Sequence, residues 1–334
     1  MEQFTRFLEM IDGWVWGVPL IVLILAVGIY LTIRLRGLQI RKLPKALKYM
    51  VHNEEDGEGE VTSFGALCTA LSATIGTGNI VGVATAIVAG GPGALFWMWM
   101  AALFGMATKF AEGVLAIKYR VLDETGHALG GPFYYIENGM GKQWKWLAKL
   151  FAFFGVGVGI LGIGTITQVN GIASAVNNFF DSNNAWTFQL FGKDYSYTVL
   201  IAAIIVTVCV ALVIIGGIQR IASVSQVIVP FMACIYVAFC VLLLVMNVTK
   251  IPAAFVLIIQ SAFGMRAVAG GALGAIILAM QKGIARGIFS NEAGLGSAPI
   301  AAAAAQTNEP VRQGLVSMTG TFIDTIVICT MTGF

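Results

Sequence analysis

Charge is scarce in this chain. Asp, Glu, Lys and Arg make up 11% of its 334 residues, against 58% hydrophobic residues and a mean hydropathy of +0.84. A soluble core does not produce apolar stretches of 18 or more residues from end to end, so the composition excludes a soluble globular protein and points to a polytopic membrane protein. The net charge of +3 is spread over many connections, which leaves no basic patch for nucleic acid. The five cysteines, Cys68, Cys209, Cys234, Cys240 and Cys329, lie in apolar segments without close paired spacing. That excludes a disulfide framework and a zinc site, and the thiols read as filling at helix interfaces. His52 and His127 stand in polar connections with no other candidate ligands beside them and read as ordinary loop residues. Neither a nucleophile elbow nor a phosphate loop occurs, and Gly76-Thr77-Gly78 follows an apolar helix rather than a strand, so an enzyme has no support. The first residues, with Glu2, Glu9 and Asp12, lack the charge order of a cleavable signal and are read as retained.

What is present is a series of long apolar runs. Hydropathy places eight spans, at 13 to 35, 62 to 89, 94 to 120, 146 to 177, 197 to 216, 223 to 247, 270 to 305 and 313 to 334. Residues 248 to 269, with Pro252 near their start, read as an interfacial segment. If the N-terminus is outside, thirteen Lys and Arg fall on cytoplasmic connections, and only Arg6, Lys193, Lys250 and Arg266 fall on the outer side. The positive-inside rule therefore favours an outside N-terminus in the plasma (inner) membrane. The acidic stretch Glu54-Glu55-Asp56-Gly57-Glu58-Gly59-Glu60 then reads as a solvated cytoplasmic linker.

Two of the spans are interrupted by small and polar residues, at Gly76-Thr77-Gly78-Asn79 and at Ser290-Asn291-Glu292-Ala293-Gly294-Leu295-Gly296-Ser297. Bare backbone in hydrocarbon costs several kcal/mol per group, so a helix is broken at membrane depth only where the freed groups line a cavity or meet a ligand. The half-helix starting after Asn79 is expected to aim free N–H groups at a carboxylate, and the one ending near Ile75 to offer carbonyl oxygens to a cation or an ammonium group. The competing reading is close helix packing through small residues. In the second break Ser290, Asn291, Gly294, Gly296 and Ser297 supply similar chemistry. Glu292 suits the substrate ammonium, a coupling ion, a half-helix cap, or a structural partner such as Lys282 or Arg286. Gln168 and Asn170, mid-span, face the cavity or bond a neighbour; Asp324 is a candidate in coupling. Lys109 and Glu112 are expected to pair along one helix face. Trp97, Trp99 and Phe96 read as interfacial or packing aromatics.

Five spans run from one break to the next, so two units of five helices start at 62 and 270, and the odd count inverts the second relative to the first. The repeat is thus read as 62 to 247 and 270 to 334, behind an extra helix at 13 to 35, all in one transmembrane domain spanning 1 to 334. The second unit would need three further spans, so the chain reads as part of a longer protein.

The stretches Ala73 to Ala84, Gly90-Gly91-Pro92-Gly93-Ala94-Leu95-Phe96-Trp97-Met98-Trp99 and Phe289 to Pro299 resemble the alanine/glycine:cation symporter family over the whole length. The resemblance implies the leucine-transporter fold, an all-α architecture of inverted five-helix repeats with discontinuous helices. It also implies sodium-coupled uptake of alanine or glycine by alternating access. Carried onto this sequence, the substrate would meet Gly76, Thr77, Gly78, Asn79, Gln168, Phe289, Ser290, Asn291 and Gly294. Sodium, the coupling ion, would be ligated by the backbone at Ser72, Thr74 and Ile75 and by the side chain of Asn79, and no organic cofactor is implied. The expected partners are a small neutral amino acid and membrane lipid. Other readings are a ligand-sensing or structural membrane subunit and a proton-coupled small-amino-acid exchanger. A channel is disfavoured because no ring of repeated polar groups forms a filter.

Overall fold

The computed structural model describes residues 2–15, 17–53, 57–162, 164–190, 192–264 and 271–334. Among them the chain is almost wholly helical. Helices α1 (Glu2–Val15), α2 (Val18–Arg34) and α3 (Leu43–Val51) precede the first interrupted pair, α4 (Ser63–Thr74) and α5 (Thr77–Gly90). They are followed by α6 (Gly93–Lys118), α7 (Pro132–Met140), α8 (Lys145–Leu161), α9 (Thr165–Phe180), α10 (Tyr197–Ile214), α11 (Gly217–Met246) and α12 (Ile251–Ala262). The last group is α13 (Ala272–Asn291), the short α14 (Ala298–Ala303) and α15 (Pro310–Thr321), which runs on into a π-helical stretch, Phe322–Cys329.

Among the described residues six helical runs are long and apolar enough to cross a membrane, or up to seven if the bent pair α4 and α5 counts as one span. Seven of the eight expected spans have a counterpart there; the segment at 13 to 35 falls short of the length. The segment at 13 to 35 divides into α1 and the 17-residue α2, and α12 is likewise a shorter apolar helix. Hydropathy averages over a window and does not register where a helix stops. The fourth expected span is matched by one apolar run, Lys142–Phe180, within which α8 and α9 are separated by a short turn that has Gly162 and Gly164 at positive φ. Residues 54 to 56 of the acidic stretch, Arg266 and Gly270 lie outside the described residues.

The core runs along α6. Its Leu95, Met98, Met106 and Phe110 are buried, and α13 and α15 pack along it. Small residues set that spacing. A Cβ on Gly113 would stand 2.9 Å from Gly314 Cα, so neither helix could approach as closely with a larger residue there. By contrast α10 and α11 expose large apolar side chains such as Ile204, Leu212, Phe231 and Leu243, as expected of helices facing lipid. Phe96, Trp97 and Trp99 pack with Phe255, Phe263 and Phe334, and Trp99 Nε1 donates to Thr330 Oγ1 at 2.8 Å.

Opposite that aromatic end, a polar latch joins the two interrupted regions. Val61 bridges Ala305, and Glu60 N and Val61 N both donate to Ala304 O. Arg120, just past α6, donates through Nη1 to Ala303 O (2.8 Å) and Ala305 O (2.7 Å), and through Nη2 to Glu58 O (2.6 Å) and Thr307 O (3.0 Å). Glu60 accepts from Ala128 N at 2.9 Å and lies 2.8 Å from His127 Nδ1. His127 thus has a specific partner, unlike the loop residue expected.

The hydrogen bond and charge of Glu60, helped by Asp123, raise the His127 pKa above the ordinary 6.5. A raised folded-state pKa stabilises the protein below the unfolded value, and that contribution is lost as pH rises through the folded value. The melting temperature of the unaltered chain is therefore expected to exceed that of His127→Gln by more at about pH 5.5 than at about pH 9. Thermal unfolding in detergent at the two pH values measures this, and a pH-independent difference would refute the ion pair.

Candidate functional site

The first break is short and bent by 43°. Helix α4 ends at Thr74 and α5 begins at Thr77, three residues earlier than the expected start after Asn79. The amides there are not all free. Asn79 Oδ1 accepts from Gly76 N at 2.8 Å, and Gln168 Oε1 accepts from Thr77 N at 2.9 Å and Thr77 Oγ1 at 3.1 Å. Gln168 therefore reaches from α9 to cap the α5 N-terminus, where a substrate carboxylate was expected. Gly76 makes room for it, because a Cβ there would run into the Gln168 amide.

The second break begins where α13 ends at Asn291. Glu292 takes a left-handed conformation (φ 54), which costs a residue with a Cβ about 1 kcal/mol. Gly294 (φ 87) and Gly296 (φ 80) continue the turn in a region that glycine alone enters freely. The Glu292 carboxylate accepts from the Ser297 hydroxyl, so it closes the turn rather than pairing with Lys282 or Arg286. The Oε2 atom of Glu112 on α6 is buried without a hydrogen-bond partner among the described residues. Lys109 and Glu112 are both buried, but the expected pair is not formed within 4 Å; the ion pairs among the described residues are His127–Glu60 and Lys145–Glu137.

The two breaks meet at Asn79, which is fully buried. Its Nδ2 lies 2.7 Å from Asp324 Oδ1, 3.0 Å from Ser290 Oγ, 3.1 Å from the Asp324 carbonyl oxygen and 3.4 Å from Cys329 Sγ. Ser290 Oγ and Thr325 Oγ1 donate to Asp324 Oδ2 at 2.9 and 2.8 Å, and Asn291 Nδ2 donates to Thr325 Oγ1 at 3.1 Å. On the far side Thr332 Oγ1 donates to Asn79 O at 2.7 Å, and Tyr236 OH is 2.7 Å from Thr332 Oγ1. One buried carboxylate thus ties the first break, the second break and the π-helical stretch together. Burying it is tolerable because three side-chain donors satisfy its oxygens.

Beside this cluster lies a cavity of about 340 Å³, lined by Thr74, Thr77, Gly78, Gln168, Phe289 and Ser290 among others. That volume suits a small organic ligand. The substrate residues expected from the sequence thus divide. Thr77, Gly78, Gln168, Phe289 and Ser290 line the cavity, while Asn79 and Asn291 are buried behind it in the hydrogen-bond network. Gly294 packs near Ile24 and Thr108 instead. In the expected ion set, the backbone of Ser72, Thr74 and Ile75 lies at the last turn and end of α4, while the Ser72 hydroxyl donates back to Thr69 O. Asn170 lines a separate groove with Val169, Ala202 and Val206. Sequence reasoning missed Thr325, Cys329, Thr332 and Tyr236, because the wide turn of a π-helix has no clear sequence signature. For Asp324 the signal was present, as an acid within an apolar run.

A multi-pass helical protein whose paired helix breaks enclose a ligand-sized cavity has the build of a membrane transporter. A profile of the sodium:alanine symporter family matches residues 1–334. An uncharacterised transporter of Haemophilus influenzae is 58% identical over 98% of this chain and 68% of its own length. The sodium/alanine symporter of Methanococcus maripaludis is 50% identical over 99% of the chain and 70% of its own length. A probable sodium/glutamine symporter of Bacillus subtilis is 40% identical over 100% of the chain and 66% of its own length. The chain belongs to the sodium:alanine symporter family. It is a transporter rather than an enzyme, of the class that couples amino-acid movement to a cation.

Proposed function

We propose that this protein carries a small neutral amino acid, alanine or glycine, across the plasma membrane together with sodium, with its N-terminus outside. The observation that carries the reading is the Asn79–Ser290–Asp324 cluster, which joins both breaks beside the cavity. Ser290 Oγ and the two Asp324 oxygens converge on one point at 2.7 to 3.1 Å, now held by the Asn79 amide. Hard oxygen donors, one of them anionic, suit sodium, and the carbonyl ends of Thr74 and Ile75 at the close of α4 would complete the shell. This adds Ser290, Asp324 and Thr325 to the backbone at Ser72, Thr74 and Ile75 as ligands of the ion. The amino-acid carboxylate would take the amides of Thr77 and Gly78 as Gln168 swings aside, with Phe289 closing the cavity.

The arrangement of breaks supports a leucine-transporter-like inverted repeat, 62 to 247 and 270 to 334 in one domain, whose rocking would expose the site to each side in turn. The relative named a sodium/alanine symporter supports both the ion and the substrate class. A proton in place of sodium is the second reading, carried by the buried Asp324 carboxylate.

Uptake of radiolabelled alanine into proteoliposomes, with an inward sodium gradient, a proton gradient or neither, tests the reading. Sodium-driven accumulation is expected, and Asn79→Ala is expected to reduce it at least tenfold, because a truncated amide leaves the buried Asp324 Oδ1 without its donor and unties the first break from the second. Accumulation driven by protons alone selects the second reading. Sodium-independent equilibration, unchanged in the variant, would refute both.

A further inference from the structure

A second cavity, of about 420 Å³, opens between α5 and α13 towards the end of the fold that carries Gly90 and Pro92. Its walls include Thr85, Ala89, Lys282, Arg286 and Phe289. The two cations stand one turn apart on α13. Arg286 Nη2 donates to Thr85 Oγ1 at 3.3 Å, and its guanidinium lies 5.5 Å from the centroid of the Phe289 ring. Gly82 gives it passage, since a Cβ there would stand 3.1 Å from Arg286 Cδ.

Among the described residues no carboxylate reaches either cation within 4 Å. Glu292, on the following turn, is occupied by Ser297. Like charges four residues apart on a helix destabilise it, and ionisable groups within a membrane segment are expensive unless they serve a purpose. An anion between them reverses both terms. Most of the Arg286 fork is unused by Thr85, and a planar guanidinium matches a carboxylate with two parallel hydrogen bonds. Phe289 lines this cavity and the central one alike, so its ring stands between them.

We propose that Lys282 and Arg286 form an entry site that receives the carboxylate of the incoming amino acid before it passes Phe289 into the central cavity. The proposal rests on the transporter reading and adds a second binding station to it. A carboxylate drawn to Arg286 competes with the Phe289 ring for the guanidinium. Its arrival therefore loosens the ring that bars the inner cavity, and the pair acts on the rate of capture.

Rapid-filtration binding of radiolabelled alanine to the 334-residue chain in detergent, at saturating sodium and a range of ionic strengths, tests this. The association rate is expected to fall with salt in the unaltered chain. In the Lys282→Gln/Arg286→Gln double variant it is expected to be about tenfold lower at low salt, with the salt dependence lost. Arg286→Lys, which keeps the charge, should restore most of the rate to an otherwise unaltered chain. Lys282→Gln alone, at an exposed side chain, gives the same test with a smaller effect if the double variant does not fold. An unaltered rate and salt slope in the variants would overturn the proposal. So would a rate that follows the anionic lipid content of nanodiscs rather than salt, which would assign the pair to lipid phosphate. A chain that binds no alanine at any sodium concentration overturns the transporter reading itself, whereas binding with unaltered kinetics in the variants overturns only the entry site.

Discussion

Asp324→Asn is expected to lower the sodium-dependent affinity for alanine by about 100-fold or more. The substitution keeps the shape of the side chain and removes its charge. Ser290 and Thr325 then lose a charged acceptor, and the new amide can set its own N–H groups against Asn79 Nδ2, now 2.7 Å from Oδ1. Removing one member of a buried charged cluster typically costs about 3–5 kcal/mol, and each 1.4 kcal/mol is about tenfold in affinity. Two readouts separate a ligand of the ion from a structural acid. If Asp324 holds sodium, the rise in melting temperature that sodium produces should vanish in the variant, along with the sodium dependence of alanine binding. If Asp324 only braces the fold, the variant melts lower in all salts yet keeps the sodium-induced rise, and that outcome would remove it from the ion site.

The second large effect lies at the other end of the fold. Arg120→Ala would leave the carbonyl oxygens of Glu58, Ala303, Ala305 and Thr307 without their shared donor. A hydrogen bond involving a charged group is worth about 1.5–3 kcal/mol, and four around one guanidinium are not additive. A loss of about 3–5 kcal/mol follows, read as a fall of about 5–10 °C in melting temperature. Arg120→Lys should recover only part of it, because an ammonium cannot reach both strands of the latch with one fork. The latch ties the approach to the first break to the exit from the second, so alanine uptake should fall even at temperatures where the variant stays folded. A variant as stable as the unaltered chain would show that the bridge of Val61 to Ala305 holds without the guanidinium.

How much of this was legible in the residues varies from one feature to the next. Both breaks could be read directly, because Gly76-Thr77-Gly78-Asn79 and the run from Ser290 to Ser297 are improbable inside apolar helices unless a site needs them. The exact ends of the helices could not. A hydropathy window carries α2 back into α1 and does not register the turn between α8 and α9, since it sums side-chain transfer energies and is blind to where backbone hydrogen bonds end. Gln168 was marked by its cost at mid-span, yet its partner at Thr77, 91 residues away in sequence, lay beyond any local pattern. Glu292 offered several partners on paper, and the left-handed turn gave it Ser297. Lys109 and Glu112 have ideal spacing for a helix pair, yet both are buried and no ion pair forms between them within 4 Å.

The sequence by itself determined the solvent and the class of this protein. With 11% charged residues and apolar runs throughout, the chain can satisfy its backbone in lipid only as helices, and its two polar interruptions marked where a ligand would sit. Only the tertiary structure decided which groups face that ligand. Asp324 lies 245 residues from Asn79 along the chain and 2.7 Å away in the fold. A distance of that kind is set by how α6 packs against α13 and α15 through small residues. Packing of this sort depends on the shapes of many side chains at once, and no local run of residues encodes it.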